Sequence, residues 1–268
     1  MKKLKLIMIL SAIALTSCGQ QTVSEYFPFP GTTASRPVYL NEKPLKKTVQ
    51  LEYKIRDINL PNKNCIRIYN DEYSLRLTSL KLKISNQRNE THIYEHNGTY
   101  VGKAPYIIDV PVNKFQDCAA MAMYVHALSK NESISVHDAN GKAYPINTSG
   151  SNLKSMSMCN SYSIQKYDVE YAYVPIDKVM PGDMFITGGH PGHVATILDV
   201  VRDTLTNFKY IMVGQGWLPA CDMHVVYNQK KENVWFNITR NKTARFELLT
   251  EHTYYNFEAI QLRRWKNR

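Results

Sequence analysis

Pro181-Gly182-Asp183-Met184-Phe185-Ile186-Thr187-Gly188-Gly189-His190-Pro191-Gly192-His193-Val194-Ala195-Thr196-Ile197-Leu198-Asp199-Val200-Val201 decides the fold. Asp183–Thr187 and His193–Val201 are apolar and rich in β-branched residues, and the turn between them holds three glycines and a proline. Such runs, bounded by residues that break regular structure, read as two strands of an antiparallel hairpin. Further along, Lys209–Gly214, Met223–Tyr227 and Glu258–Trp265 have the same character, with Arg202–Asn207 a short turn. Upstream, Asp117 followed by Cys118-Ala119-Ala120-Met121-Ala122-Met123 gives a helix cap and then strong helix formers, with Met121, Val125 and Leu128 on one face. A second helix is expected over Leu153–Ser163, after a polar stretch from Ser129 to Ser151. Leu51–Ile58, Ile66–Tyr69 and Leu75–Ile84 read as short strands or turns, and Tyr106–Val112 as an apolar run ended at Pro111. Helix first and antiparallel sheet second is an α+β arrangement.

The amino terminus reads as an export signal. Lys2, Lys3 and Lys5 precede Leu6–Leu15, which is apolar but for Ser11 and is shorter than the roughly 20 residues a bilayer span requires. Leu15-Thr16-Ser17-Cys18 resembles a lipobox, which implies cleavage after Ser17 and diacylglycerol on Cys18. Gly19 at the next position implies the outer membrane, facing the periplasm. Residues 1–17 are thus expected to be a signal peptide, 18–45 a lipidated tether rich in turns, and 46–268 one α+β domain with its Cys/His core at about 105–230.

Charge narrows the partners. With 33 Lys and Arg against 23 Asp and Glu the chain is +10, and without the three signal lysines 30 against 23 leaves +7. A basic surface suits anionic wall polymers or headgroups. No arginine-rich helix or basic–aromatic groove is present, and nucleic acid is not expected as a partner. The expected contacts are the membrane through the lipid, and peptidoglycan or envelope peptides. Cys65, Cys118, Cys159 and Cys221 follow Cys18, and an oxidising compartment permits disulfides among them in three full pairings that the sequence does not distinguish.

Three places combine into one chemistry. Cys118 opens the predicted helix, where unsatisfied N–H groups and partial positive charge favour thiolate, so a lowered thiol pKa is expected. His193 heads a strand, held more rigidly than its rival His190 in the turn. Gln215 ends the next strand beside it. A thiol nucleophile needs an imidazole to take its proton, and the imidazole needs a polar partner to fix its tautomer. Cys118, His193 and Gln215 are therefore the candidate catalytic residues, with Asp117, Trp217 and His190 at the substrate cleft.

The order Asp117-Cys118, Pro181-Gly182-Asp183, Gly192-His193-Val194, Gln215 resembles the papain-like cell-wall hydrolases of the NlpC and CHAP types. Those enzymes usually continue Asp-Cys with Ser-Gly, where this chain has Ala119-Ala120. The resemblance implies a cysteine-bearing helix packed on an antiparallel sheet and cleavage of an amide bond. A closer resemblance, carried by Pro181–His193 and Gln215-Gly216-Trp217-Leu218-Pro219-Ala220-Cys221, is to bacterial lipoproteins grouped as domain of unknown function 4846, which implies no activity. Two other readings compete. His190, His193, Cys221 and His224 form HxxH and CxxH spacings that zinc can use. A degenerate hydrolase fold could also bind glycan or protein through exposed tyrosines and Trp217. No cofactor is expected: Gly188, Gly189 and Gly192 read as turn positions needing positive φ, without the strand–loop–helix context of a phosphate cradle.

Overall fold

The sheet grows outward from His193–Asp203, a long strand whose residues are buried on both faces except Arg202. Described in the computed structural model are residues 52–83, 92–149, 153–189, 192–228, 233–239, 246–249, 254–257 and 259–268. The segments expected to be a signal peptide (1–17) and a lipidated tether (18–45), with Cys18, and His190 lie outside the described residues.

In chain order the elements that matter are β1 (Cys65–Arg67), α1 (Glu72–Thr78), β2 (His92–Tyr94), β3 (Tyr100–Lys103), α2 (Cys118–Lys130), β4 (Ile134–His137), β5 (Ala143–Ile146), α3 (Leu153–Met156) and α4 (Ser161–Ser163). Then come β6 (Met184–Thr187), β7 (His193–Asp203), β8 (Lys209–Gln215), β9 (His224–Val225), β10 (Trp235–Asn237), β11 (Phe246–Leu249), β12 (Tyr254–Phe257) and β13 (Leu262–Arg263). The main sheet runs β10-β8-β7-β6-β13 and every pairing in it is antiparallel; β1 joins the far end of β7 and β9 the far end of β8. The protein is thus mixed α+β with an antiparallel sheet, as the hairpin pattern of the sequence implies.

Alternation along β7 sorts its neighbours into two layers. Val194 and Leu198, with Met184 and Ile186 of β6, pack in the cluster that contains Ala119–Val125 of α2. Ala195 and Ile197, with Phe185, face the opposite way with Phe257. Helix α2 starts where expected: the Asp117 carboxylate accepts from the Ala120 N–H at 2.8 Å, and Asn131 in the left-handed region closes the helix.

Several local expectations are corrected. Within Leu51–Ile58 the chain forms a 3-10 turn at Ile55–Asp57 rather than a strand, because Asp57 accepts from the Lys54 N–H at 2.9 Å and curls the backbone. Leu75–Thr78 belongs to helix α1, capped by Asp71 accepting from the Ser74 N–H at 3.0 Å. The second helix is broken at Asn160, whose side chain starts α4 by accepting from the Ser163 N–H, and α4 runs on into a π turn at Ile164–Asp168. The polar stretch before it contains the β4–β5 hairpin, turned by Asp138, which accepts from the Asn140 and Lys142 N–H groups. Of the three turn glycines only Gly189 has positive φ (+112°). Gly188 and Gly192 are needed for space instead: a Cβ on Gly188 would lie 2.9 Å from Tyr162 Cα, and one on Gly192 would meet the Ser161 hydroxyl and lie 2.6 Å from the Gly189 carbonyl oxygen.

Candidate functional site

Where β7 begins and β8 ends, the sheet finishes and the tip of α2 approaches it. The approach depends on Gly216: a Cβ there would stand 3.1 Å from Met121 Cβ and 3.3 Å from the Asp117 carbonyl oxygen. A side chain there would fit only if Met121 or the helix tip gave way by a few tenths of an ångström. Cys118 is the first residue of the helix and is partly exposed, and the Val194 N–H lies close enough to its sulfur to favour thiolate.

His193 and Gln215 meet directly, Nε2 to Oε1 at 2.7 Å, both buried. The Trp217 ring sits edge-on to His193 with centroids 5.5 Å apart, and Phe257 stacks on it at 5.9 Å. Sequence spacing therefore brings His193, Gln215 and Trp217 together, and puts Cys118 beside the next residue of the strand. An N–H that hydrogen-bonds sulfur within the usual reach keeps it within about 7 Å of the preceding residue's Cβ, by bond lengths alone. Alternation sends the His193 ring to the face opposite α2, so the ring and the sulfur stand on different sides of the end of the sheet.

A residue the sequence offers only as a zinc ligand belongs to this network. His224, paired with Gln215 across β8 and β9, has Nε2 3.3 Å from Gln215 Nε2, and its Nδ1 lies 2.9 Å from the Asp222 backbone carbonyl. A carbonyl only accepts, so His224 carries its proton on Nδ1. Its Nε2 then accepts from the Gln215 amide, the Gln215 oxygen faces His193, and His193 must donate from Nε2. The basic nitrogen of His193 is thereby Nδ1.

The electrostatics differ from the helix-terminus expectation. Burial pushes the Cys118 thiol up to about 12, and the neighbouring Asp117 carboxylate adds to it, against the N–H groups of Val194, Ala119 and Cys118 itself. Burial also lowers His193 to about 4, with His224 adding to the shift and the Gln215 hydrogen bond opposing it. Burial likewise lowers His224 and raises Asp117. The resting site is thus a neutral thiol and a neutral imidazole, and the lowered thiol pKa expected at Cys118 is reversed. Cys65, Cys118, Cys159 and Cys221 are all free thiols. Among the described residues no group of three or more His, Cys, Asp or Glu side chains could hold a metal ion. His193 and His224 are bridged by an amide, and His190 lies outside the described residues.

One further group stands near the thiol. Gln116 is fully buried; its Oε1 accepts from the Asn113 backbone and side-chain amides at 2.8 and 3.0 Å, while its Nε2 has no hydrogen-bond partner. A buried unsatisfied donor costs about 1–3 kcal/mol, which marks it for explanation.

Fold and site together define a mixed α+β protein with a Gln-bridged pair of histidines at the end of an antiparallel sheet, the end that the tip of a cysteine-bearing helix also approaches. Residues 151–264 match the model of a family described as a domain of unknown function (4846). The match takes in His193, Gln215, Trp217 and His224 and leaves Cys118 outside it. No curated protein and no solved structure matches the chain.

Proposed function

We propose that the chain is a lipid-anchored thiol hydrolase of the bacterial cell envelope, with a papain-like core, acting on an amide bond in peptidoglycan-related peptides. The observation that carries this reading is the contact of His193 Nε2 with Gln215 Oε1 at 2.7 Å: with Nε2–H given to that oxygen, Nδ1 is the base. Cys118 Sγ–H gives its proton to His193 Nδ1 as the sulfur attacks the amide carbonyl carbon, and the carbonyl electron pair moves to oxygen. The Cys118 backbone N–H and the unsatisfied Gln116 Nε2–H are the donors for that oxyanion. Collapse expels the amine, which takes the proton from His193. Water, deprotonated by the same nitrogen, then hydrolyses the thioester and frees the thiol. Because both groups rest neutral, the proton moves during attack, and Trp217 and Phe257 pack against the ring and hold its orientation. The anchor rests on Lys2–Cys18 and the core on the Asp117-Cys118, Gly192-His193-Val194, Gln215 order.

A second reading, a non-catalytic envelope protein that binds glycan or peptide, is favoured by one observation: the His193 ring and α2 lie on opposite faces of the sheet. Incubating the full chain in detergent with muropeptides, followed by mass spectrometry, separates the two. The hydrolase reading expects new amine and carboxylate termini with the native chain and none with Cys118→Ser. Identical products from both, or none from either across a panel of stem peptides, leaves the binding reading.

A further inference from the structure

We propose that His224 is a positioning residue: it sets the orientation of the Gln215 amide and, through it, which nitrogen of His193 is basic. The consequence for catalysis rests on the hydrolase reading above; the control of the tautomer does not.

Glutamine has a pseudo-symmetric end, and an amide facing one histidine alone can satisfy it either way round, oxygen to an N–H or N–H to a lone pair. The two flips demand opposite tautomers of His193. Here Gln215 faces a second imidazole at 3.3 Å whose own tautomer is not negotiable, because Nδ1 is held 2.9 Å from a backbone carbonyl. Flipping the amide would set the Gln215 oxygen against the His224 Nε2 lone pair and leave a buried amide N–H without an acceptor there. Only one flip satisfies all three side chains.

The carbonyl that anchors the relay is itself held from several sides. The Asp222 carboxylate accepts from Lys83 Nζ at 2.6 Å and from the Tyr94 N–H at 3.0 Å. The Asp222 N–H donates to the Tyr94 carbonyl at 2.9 Å, Ile108 N–H to the Met223 carbonyl at 2.8 Å, and Val225 N–H to the Tyr106 carbonyl at 2.9 Å. Lys83, Tyr94, Tyr106 and Ile108, which precede the family match, therefore support a device centred inside it.

The test reads protonation directly. In the full chain labelled with ¹⁵N-histidine, long-range ¹H–¹⁵N spectra at pH 7.5 report which ring nitrogen carries hydrogen. The native protein is expected to show His224 protonated at Nδ1 and His193 at Nε2; the opposite state at either ring overturns the proposal without any variant. His224→Phe removes the acceptor and is expected to shift the His193 tautomer ratio about tenfold toward Nδ1–H, the worth of one hydrogen bond. His224→Gln, whose side-chain oxygen can accept from Gln215, restores the native ratio. A His224→Phe spectrum unchanged at His193 also overturns it. If the chain cleaves amides, kcat falls with the tautomer shift and KM holds; if it cleaves none, the hydrolase reading fails while the tautomer result still decides this one.

Discussion

Asp117→Asn isolates the charge next to the thiol while leaving the helix intact. Asparagine caps helices as well as aspartate does, so the bond to the Ala120 N–H and the start of α2 are kept. The charge of a partly exposed neighbouring carboxylate is worth about 1.4 kcal/mol, one pKa unit. Removing the anion favours thiolate, so the Cys118 pKa falls from about 12 and the thiolate fraction at pH 8 rises about tenfold. A less basic thiolate is also a weaker nucleophile, by about threefold per unit, so alkylation should accelerate about threefold. The assay is iodoacetamide labelling at pH 8 read by peptide mass spectrometry, with buried Cys65, Cys159 and Cys221 as internal references. Equal or slower labelling of Cys118, in a variant with unchanged Tm, refutes the account of what raises this thiol.

Three more outcomes follow from packing and charge. Gly182→Ala puts a side chain at φ +91°, against Cε1 of the Tyr73 ring and 2.8 Å from the Tyr73 hydroxyl, which together cost about 2–5 kcal/mol; a thermal melt should drop by at least about 4 °C, and a shift under 1 °C shows the turn is not as crowded as described. Arg264→Met strips the bidentate partner, at 2.7 and 2.8 Å, from fully buried Asp183 and should cost about 3–5 kcal/mol. Burial already raises Asp183 against Arg264, and the variant raises it further; since a raised carboxylate loses stability as pH climbs, urea midpoints should show a smaller deficit at pH 4 than at pH 8. His126, stacked 4.4 Å from Trp265, is lowered to about 3 by burial, with Lys130 and Arg268 adding to it. Its contribution is present above pH 6.5 and lost as pH falls toward 3, so His126→Phe should flatten stability against pH by up to about 1.4 kcal/mol per unit; an unchanged slope from pH 6 to 4 would refute it.

Legibility follows how much of an element's signal is local. Strands β6, β7 and β8 are readable because β-branched runs buried on both faces carry no competing period, and Gly, Pro and Asn punctuate them. Helix α2 is readable from one residue, Asp117. Helix α1 is not: Leu75, Leu77, Leu80 and Leu82 imitate a period of two, while the helix buries Tyr73, Ser74, Leu77 and Thr78 and leaves Leu75 43% exposed. The burying surface comes from α2 and β7, distant in sequence. Hairpin β4–β5 fails for the converse reason: its strands bury only Ile134, Val136 and Ile146, a weak strand pattern, although Asn140-Gly141, with Gly141 at φ +82°, is a turn signal the sequence does carry.

The site divides along the same line. His193 beside Gln215 follows from antiparallel neighbours of known register, so strand order is enough to pair them. His224 does not follow, because a CxxH spacing fits a metal as well as a carbonyl anchor, and only the backbone path of 220–225 chooses between them. The thiol's state is the hardest quantity to read, for a reason of magnitudes. A helix start offers about half a positive charge. A full carboxylate one residue away offsets it, and desolvation, which is the larger cause here, depends on how closely the strand ends at Val194 and Gly216 approach the tip of the helix. Sequence places the half charge; the two larger opposing effects are set by packing. A nucleophile here can act only if substrate binding makes proton transfer to His193 Nδ1 easier than in the resting protein. On the hydrolase reading the tautomer network has to be in place before substrate arrives, and a chain of groups ending on the Asp222 backbone carbonyl meets that requirement.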